Sequence, residues 1–309
     1  MKRALITGGS GFIGKAITDF LSELDYQVYV FDHYKPNGSH LHLQGSILNF
    51  DEVCTAVLNM DVVYHLAGLL GTTELLSKSA EAVDVNVKGT VNVFEACRLA
   101  GVKRLFYPTK PNDWLNTYSI TKRAGEEFAR MYRDIYGMDI RILRWLNAYG
   151  PGQKLYPIRK AVPIMIVQAL LGVPVEVYGD SRQPVDLIYV DDLARITVGY
   201  MELDSGDSIT RDTGCTVRMT VNEMAHLIKK LASSRSSIKH LPMRLGEDSS
   251  KHVQLLDGLT AADLLGISDS TTDIVQGLAK TIEYYRQLPQ EVVDSALKYF
   301  YGKKAVPVL

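Results

Sequence analysis

Cysteine is scarce in this 309-residue chain, and neither sign of charge is in excess. The three cysteines (Cys54, Cys97 and Cys215) are too few and too scattered for a disulfide framework or a CxxC metal site. The 34 basic and 35 acidic side chains leave a formal net charge of −1, which gives no general field to attract nucleic acid or an anionic membrane. We therefore expect a protein of a reducing, cytoplasmic setting, with no metal site and no nucleic-acid partner.

Long hydrophobic runs are missing as well. The run from Ala4 to Ile6 is too short for the apolar core of a secretory signal. The most apolar later stretch, 161–177, is interrupted by Pro163, Gln168, Gly172 and Pro174, so it predicts no membrane span. Apolar residues nevertheless make up 46% of the chain, which is typical of a globular protein with a core.

Strand and helix patterns alternate through the first 150 residues. Short apolar runs predict strands at 3–7, 27–31, 41–44, 61–66, 103–107 and 139–143. Apolar positions spaced by three and four residues predict helices at 13–24, 50–58, 80–100 and 119–136. This alternation indicates βαβ units, and therefore an α/β fold with a doubly wound parallel sheet and helices on both faces.

The pattern changes after residue 150. We predict a helix at about 159–171, strands at 175–178 and 185–190, helices starting at Asp191 and Val221, and a terminal helix near 273–286. The chain thus divides into a first domain, 1–150, to which it returns at about 183–203, and a smaller C-terminal α/β lobe that makes up most of 151–309.

A glycine turn follows the first predicted strand and opens the first helix. Its spacing, G-x-x-G-x-x-G, permits a tight turn and a close approach of the backbone to a pyrophosphate at the helix N-terminus. Asp32, at the end of the second strand, is placed to accept the ribose hydroxyls of adenosine, which favours NAD over NADP. The sequence therefore predicts a Rossmann-type NAD site. The predicted contacts in the turn are Gly8, Gly11, Phe12, Ile13 and Gly14.

Tyr118 and Lys122 are four residues apart at the start of a predicted helix, so they share one helix face. A nearby ammonium and a positive nicotinamide both favour phenolate, which would make Tyr118 a usable base near neutral pH. The spacing Y-x-x-x-K alone also describes many exposed helix faces. Its position after the fifth strand of a nucleotide-binding half favours the catalytic interpretation.

Together these motifs resemble the extended short-chain dehydrogenase/reductase family, the nucleotide-sugar epimerases and dehydratases. The likeness covers nearly the whole chain and includes the segments 61–68, 86–90, 144–151 and 189–193. It implies NAD in the first lobe, a nucleoside-diphosphate sugar (most simply a UDP-sugar) held mostly by the second, and a homodimer paired through the helices at 80–100 and 119–136. Further cofactor contacts are implied at Ser46, Ile47, Leu66, Ala67, Gly68 and Asn86. Substrate contacts are implied at Asn147, Arg182 and Arg244.

The chain departs from the family pattern after the fifth strand. Thr109 and Lys110 lie where relatives carry a Ser/Thr-rich turn, and a shortened loop leads from them to Tyr118. Thr109 is our candidate for the hydroxyl that shares a proton with the sugar oxygen. Two alternatives stay open. Lys110 could occupy that position instead, or no residue of the shortened loop supplies this hydroxyl. Dehydratases and decarboxylases of the family carry acids here, whereas the nearest acid in this chain is Asp113.

Two further departures concern binding. Val185 replaces a phosphate-binding arginine of the relatives, and Arg182 is either its substitute or an ordinary exposed arginine. Ser46 and Ile47 lack the acid usually found near adenine. Our leading hypothesis is NAD-dependent epimerisation of a nucleoside-diphosphate sugar at C4 through a transient 4-keto intermediate. The alternatives are a dehydratase, decarboxylase or reductase on the same fold, or a dinucleotide-binding protein without turnover.

Overall fold

The computed structural model of the chain describes residues 1–35, 40–111, 114–204, 210–214, 217–248 and 259–302. Its strands are β1 (Arg3–Thr7), β2 (Gln27–Asp32), β3 (Leu41–Gln44), β4 (Val62–His65), β5 (Arg104–Thr109), β6 (Ile140–Arg144), β7 (Asn147–Tyr149), β8 (Val175–Tyr178), β9 (Pro184–Tyr189), β10 (Arg211–Asp212), β11 (Val217–Thr220) and β12 (Ile238–Leu241). Its helices are α1 (Phe12–Glu23), α2 (Phe50–Val57), α3 (Ser79–Val83), α4 (Gly89–Ala100), α5 (Thr117–Tyr136), α6 (Ala161–Leu170), α7 (Val190–Glu202), α8 (Val221–Leu231), α9 (Ala261–Leu264), α10 (Ile274–Arg286) and α11 (Gln290–Tyr301). A π-helical turn, Asp84–Lys88, joins α3 to α4, and a 3-10 turn covers Ser268–Ser270.

A seven-stranded parallel sheet organises the first lobe, in the order β10-β6-β5-β4-β1-β2-β3. The chain runs outward from β1 in one direction and from β4 in the other, so the strand order reverses between these two neighbours. In open α/β sheets, ligands bind outside the carboxyl ends of the strands at such a reversal. The glycine turn follows β1 and residues 66–68 follow β4, which puts both segments at this point. The predicted Rossmann-type α/β fold is confirmed.

Helices cover both faces of this sheet, because its strands are apolar on both sides. Ile17 of α1 and Leu193 of α7 belong to the core on one face. Phe94 of α4 and Ala129 of α5 belong to the core on the other face, which also includes α2. Although α7 follows β9 of the second lobe, it packs on the first.

The second lobe has its own core. Its sheets are a three-stranded one, β11-β9-β7, and a two-stranded one, β12-β8. Ile166, Ile228 and Leu278, from α6, α8 and α10, pack together with α11. The division of the chain near residue 150 stays a prediction.

The structure differs from the predicted elements in several places. The predicted helix at 80–100 is interrupted by the π-helical turn, and α11 follows the helix that we expected to be the last. The short strands β7, β10, β11 and β12 and the four-residue helix α9 were not predicted. Within the described ranges, no helix combines the length and apolarity that crossing a bilayer requires.

Candidate active site

A cavity of about 440 Å³ lies at the carboxyl ends of β1, β4 and β5. Most of the residues that the sequence singled out meet in its wall, although they come from separate elements. They are Gly8, Gly11, Phe12, Ile13, Gly14, Leu66, Ala67, Gly68, Asn86, Thr109, Tyr118, Lys122 and Asn147. The parallel topology brings them together, since it gathers the strand ends at one edge of the sheet.

The turn between β1 and α1 can accept only glycine at two positions. Gly8 has a φ of +74°, and a Cβ there would lie 2.8 Å from the backbone nitrogen of Ala67. A Cβ on Gly14 would overlap the Gly8 carbonyl oxygen and lie 2.7 Å from the Cα of Gly9. The bare backbone at the N-terminus of α1 therefore forms a cradle for phosphate, which fits a dinucleotide.

Asp32 lies beside this turn. Its Oδ2 accepts a hydrogen bond of 3.1 Å from the backbone N–H of Ser10, and its Oδ1 accepts one of 3.2 Å from that of Tyr34. Ser46 and Ile47 lie beyond it, and none of these three predicted contacts is in the cavity wall. Glu52 of α2 lies next to Ser46, since its Oε2 accepts a 2.8 Å hydrogen bond from the Ser46 N–H.

Asn86 occupies the π-helical turn and is buried. Its Oδ1 accepts a 2.7 Å hydrogen bond from the Leu69 N–H, and its Nδ2 donates to the Leu69 carbonyl at 3.0 Å and to Thr121 Oγ1 at 3.1 Å. The side chain thus ties the loop after β4 to α5, three residues from Tyr118. Asn86 lies within a π-helical turn, and such turns are frequent at functional sites.

Tyr118 and Lys122 lie on the first turns of α5, where Asn116 caps the helix by accepting a 2.9 Å hydrogen bond from the Ser119 N–H. The Lys122 ammonium is 3.9 Å from the ring centroid of Tyr107. Burial lowers the pKa of Lys122 to about 7, and burial raises the pKa of Tyr118 above its ordinary value. We expected Lys122 and the nicotinamide charge together to favour the phenolate; among the protein's own effects on the pKa of Tyr118, desolvation of the phenol dominates.

The two candidates for the hydroxyl position are both in the cavity wall. Thr109 is buried, and its Oγ1 has no hydrogen-bond partner among the described residues. A buried hydroxyl without a partner is costly, so a polar ligand atom would stabilise it. The Lys110 ammonium lies 5.3 Å from the ring centroid of Tyr118.

A second cavity, of about 240 Å³, adjoins the first. The two share wall residues, including Lys110, Tyr118, Asn147 and Lys160. Arg244 lies in the wall of the smaller cavity only, where it forms ion pairs with Glu74 at 3.0 Å and with Glu247 at 3.3 Å. Arg159 pairs with Glu176 at 2.6 Å in the same wall.

Sequence reasoning missed Glu74, Arg159, Lys160, Glu176 and Glu247. They come from separate loops and a strand, and no spacing rule connects them.

Arg182 is not brought to the site. It is exposed, lies in the wall of neither cavity, and its backbone N–H donates to Asp180. Val185 lines both cavities, so Arg182 does not take over the place of the arginine that Val185 replaces. Asp113 and Cys215 lie outside the described residues. Across the ranges that the structure describes, no cluster of three or more His, Cys, Asp or Glu side chains could hold a metal ion.

The described wall of the larger cavity carries lysines but no carboxylates. Its described lining contains four lysines, Lys110, Lys122, Lys154 and Lys160, and no Asp or Glu. Such a wall attracts anions and disfavours cations. Phosphorylated ligands therefore suit this cavity.

Known proteins resemble the chain along most of its length. The sequence profile of the NAD dependent epimerase/dehydratase family matches residues 4–210. A UDP-N-acetyl-alpha-D-glucosaminuronate decarboxylase of Bacillus cytotoxicus is 31% identical over 273 residues, which cover 78% of this chain and 84% of that protein. The structure of a UDP-glucose 4-epimerase with UDP-glucose, from Thermotoga maritima, has 26% identity and a TM-score of 0.82, covering 92% of this chain and 99% of that one. MoeE5 in complex with UDP-glucuronic acid and NAD also has 26% identity, with a TM-score of 0.81 and the same coverage.

Proposed function

Because the chain belongs to the NAD dependent epimerase/dehydratase family, we propose that it interconverts the two C4 epimers of a UDP-sugar. Its cofactor is NAD. One observation carries the proposal: Tyr118, Lys122 and the unpartnered hydroxyl of Thr109 meet in one lysine-lined cavity beside the glycine turn.

The residues present fit the cofactor. The glycine cradle would hold the diphosphate, Asp32 the adenosine ribose, and Lys122 the nicotinamide ribose. When bound, NAD supplies a hydride acceptor that can return the hydride, together with a positive charge that favours the phenolate of Tyr118.

The protein residues then transfer a proton and hydrogen-bond the sugar. The Tyr118 oxygen would take the proton of the C4 hydroxyl, and the Thr109 hydroxyl would hydrogen-bond the same sugar oxygen. The resulting 4-keto sugar turns about its diphosphate linkage and presents its other face. Once C4 is reduced on that face, Tyr118 would give the proton back to the C4 oxygen. Asn86 holds the loop after β4 against α5 during the reaction, since its side-chain hydrogen bonds are all to protein groups.

Substrate binding is assigned to the second cavity. Arg244 would bind the diphosphate, for which its planar guanidinium is suited, and Asn147 would hydrogen-bond the sugar or its phosphate. Epimerisation needs no further acid or base. The carboxylates nearby are engaged with arginines, since Glu74 and Glu247 pair with Arg244 and Glu176 pairs with Arg159.

One observation favours decarboxylation as a second candidate. Oε2 of Glu74 is buried without a hydrogen-bond partner among the described residues, and one of the relatives is a decarboxylase. If it carries a proton, a carboxyl group at this position could donate it to the carbon that loses CO₂. The experiment below separates the two reactions by their products.

Proton NMR in deuterated water tests the proposal directly. The protein with NAD is offered a panel of UDP-hexoses, N-acetylated UDP-hexosamines and UDP-hexuronates. We expect a new C4 epimer with no deuterium on carbon, because the same hydride returns. A UDP-pentose would instead establish decarboxylation, and a deoxy-keto product that carries deuterium would establish dehydration.

The Tyr118→Phe variant provides the matching test of the site. We expect the rate to fall by roughly 10³-fold with NAD still bound, since a general base contributes that order of magnitude. Tyr136→Phe removes an exposed hydroxyl at the other end of α5 and should leave the rate unchanged. Near-normal turnover by Tyr118→Phe would contradict the assignment.

We also propose that the protein acts in the cytoplasm and as a homodimer. Cys54 and Cys97 are free thiols, which suits a reducing compartment. Large apolar side chains are exposed on α3, α4 and α5, among them Val83, Leu99 and Ile135. A second subunit could cover them.

A further inference from the structure

Among the residues that the structure describes, two ammonium groups at the junction of the cavities have no anionic partner within ion-pair distance. Lys110 and Lys160 line both cavities, and within the described residues neither side chain forms a hydrogen bond or an ion pair. The ring of Tyr118 is the group that Lys110 approaches. By contrast, Arg159 and Arg244 of the smaller cavity form ion pairs with carboxylates.

The surroundings make these two charges costly. Burial lowers the pKa of Lys110 to about 8, and repulsion from Lys160 adds to the effect. Burial also lowers the pKa of Lys160, although Glu74 and Glu247 act in the opposite direction. An anion bound between the two lysines would compensate both ammonium groups.

The position of the two lysines relative to Tyr118 indicates which anionic group of the substrate they would bind. In a hexopyranose the diphosphate is attached at C1, across the ring from C4, whereas C6 is attached at C5, the neighbour of C4. Tyr118 marks the place of C4 in the proposed reaction, and Lys110 lies next to its ring. Arg244, in the wall of the smaller cavity only, remains for the diphosphate. An anionic group close to the reacting carbon is therefore one carried at C6.

From this geometry we propose that Lys110 and Lys160 bind the C6 carboxylate of the sugar, so that the substrate is a UDP-hexuronic acid. The inference rests on the proposed function, because it takes the position of C4 from Tyr118. It gives Lys110 the role of a specificity-determining residue in place of the hydroxyl role.

Isothermal titration calorimetry on the NAD-saturated protein tests the inference, with UDP-glucuronate, UDP-glucose and UDP as probes. We expect UDP-glucuronate to bind about 10-fold more tightly than UDP-glucose, the effect of a charge-assisted hydrogen bond. Lys110→Met and Lys160→Met should each remove about 10-fold in affinity for UDP-glucuronate, with UDP-glucose and UDP little affected. Lys110→Arg, which keeps the charge, should retain the preference.

Lys103, at the other end of the same strand, provides a matched control. Lys103 and Lys110 flank β5 at its two ends, and Lys103 is exposed on the surface, where it pairs with Asp61. Lys103→Met should leave all three affinities unchanged. NAD binding by every variant confirms that the first lobe is folded.

The outcomes separate this inference from the proposed function. Equal losses for UDP-glucuronate, UDP-glucose and UDP would mean that the lysines bind the diphosphate, and the carboxylate site would be wrong. Tighter binding of UDP-glucose by the unaltered protein would also overturn it. Selective, lysine-dependent binding of UDP-glucuronate supports the inference even if NMR detects no epimer, in which case the epimerase proposal alone fails.

Discussion

At the scale of single residues, buried polar side chains next to the ends of β1 and β4 form hydrogen bonds with one another. His65, at the end of β4, is buried between two threonines: its Nδ1 is 2.8 Å from Thr7 Oγ1 and its Nε2 is 3.0 Å from Thr90 Oγ1. The Thr7 hydroxyl also accepts the N–H groups of Leu66 and Ala67 at 3.2 Å. Both ring nitrogens of this buried histidine therefore have hydrogen-bond partners.

His65 makes stability sensitive to acid. Burial, with a smaller effect of Lys122, lowers its pKa to about 3, whereas an unfolded histidine titrates near pH ~6.5. Below about pH 6.5 the unfolded chain binds more protons, so this stabilisation is lost as the pH falls. Urea unfolding should give a free energy about 2 kcal/mol lower at pH 5 than at pH 7 from this group.

Two variants isolate the effect. His65→Gln should be less stable at pH 7, yet it should lack this part of the pH dependence. His226→Gln, which changes an exposed histidine on α8, should keep it. An equal drop between pH 7 and pH 5 in His65→Gln and in the unaltered protein would contradict the assignment.

At the scale of elements, the site depends on how each element ends. The β1 strand ends in a turn that needs glycine, β5 ends at Thr109 and Lys110, and α5 begins with the cap that orients Tyr118. The amphipathic pattern predicted the existence of these elements. It did not predict the π-helical turn, because one extra residue hardly alters the spacing of apolar positions over 80–100.

The glycine turn gives a prediction at this scale. Gly14→Ala places a methyl group against the backbone of Gly8 and Gly9, so the start of α1 must shift away from the cradle. Overpacking costs about 2 kcal/mol. If the turn must bear this cost to hold the phosphates, NAD affinity falls by roughly 30-fold. Titration calorimetry with NAD measures it.

Lys15→Ala serves as the neighbouring control. Lys15 is exposed on the same turn of α1, so its truncation should leave NAD affinity unchanged. Unaltered NAD binding by Gly14→Ala would show that the phosphates do not approach this turn.

At the scale of the whole molecule, two lobes enclose a continuous pair of cavities, and one surface is left apolar. The C-terminal ends of α4 and α5 adjoin, since the Arg98 guanidinium lies 5.0 Å from the ring of Tyr136. Leu99 and Ile135, next to these two residues in sequence, are 60% and 67% exposed. Such a patch on a folded protein is typical of an interface.

The proposed dimer can be tested on this patch. Light scattering should give a mass about twice the 34.4 kDa of one chain. Ile135→Arg places a charge in the interface and should reduce the mass to that of one chain. Val275→Arg alters an exposed apolar residue on α10 of the second lobe and should leave the mass unchanged. A single-chain mass for the unaltered protein would refute the dimer.

The sequence by itself determined the parts of this protein that depend on local spacing. Gly8, Gly11 and Gly14 form one turn, and Tyr118 and Lys122 share one helix face, whatever the rest of the chain does. The alternation of strands and helices likewise determined the Rossmann-type sheet.

Only the tertiary structure decided which distant residues meet. It brought Glu52 to Ser46, put Lys110 and Lys160 in the walls of the same two cavities, paired Arg244 with Glu74 and Glu247, and left Arg182 outside the cavities. These contacts join loops that are far apart in the chain. Loop ends are placed by the packing of two lobes, and no periodicity in a single sequence records that packing.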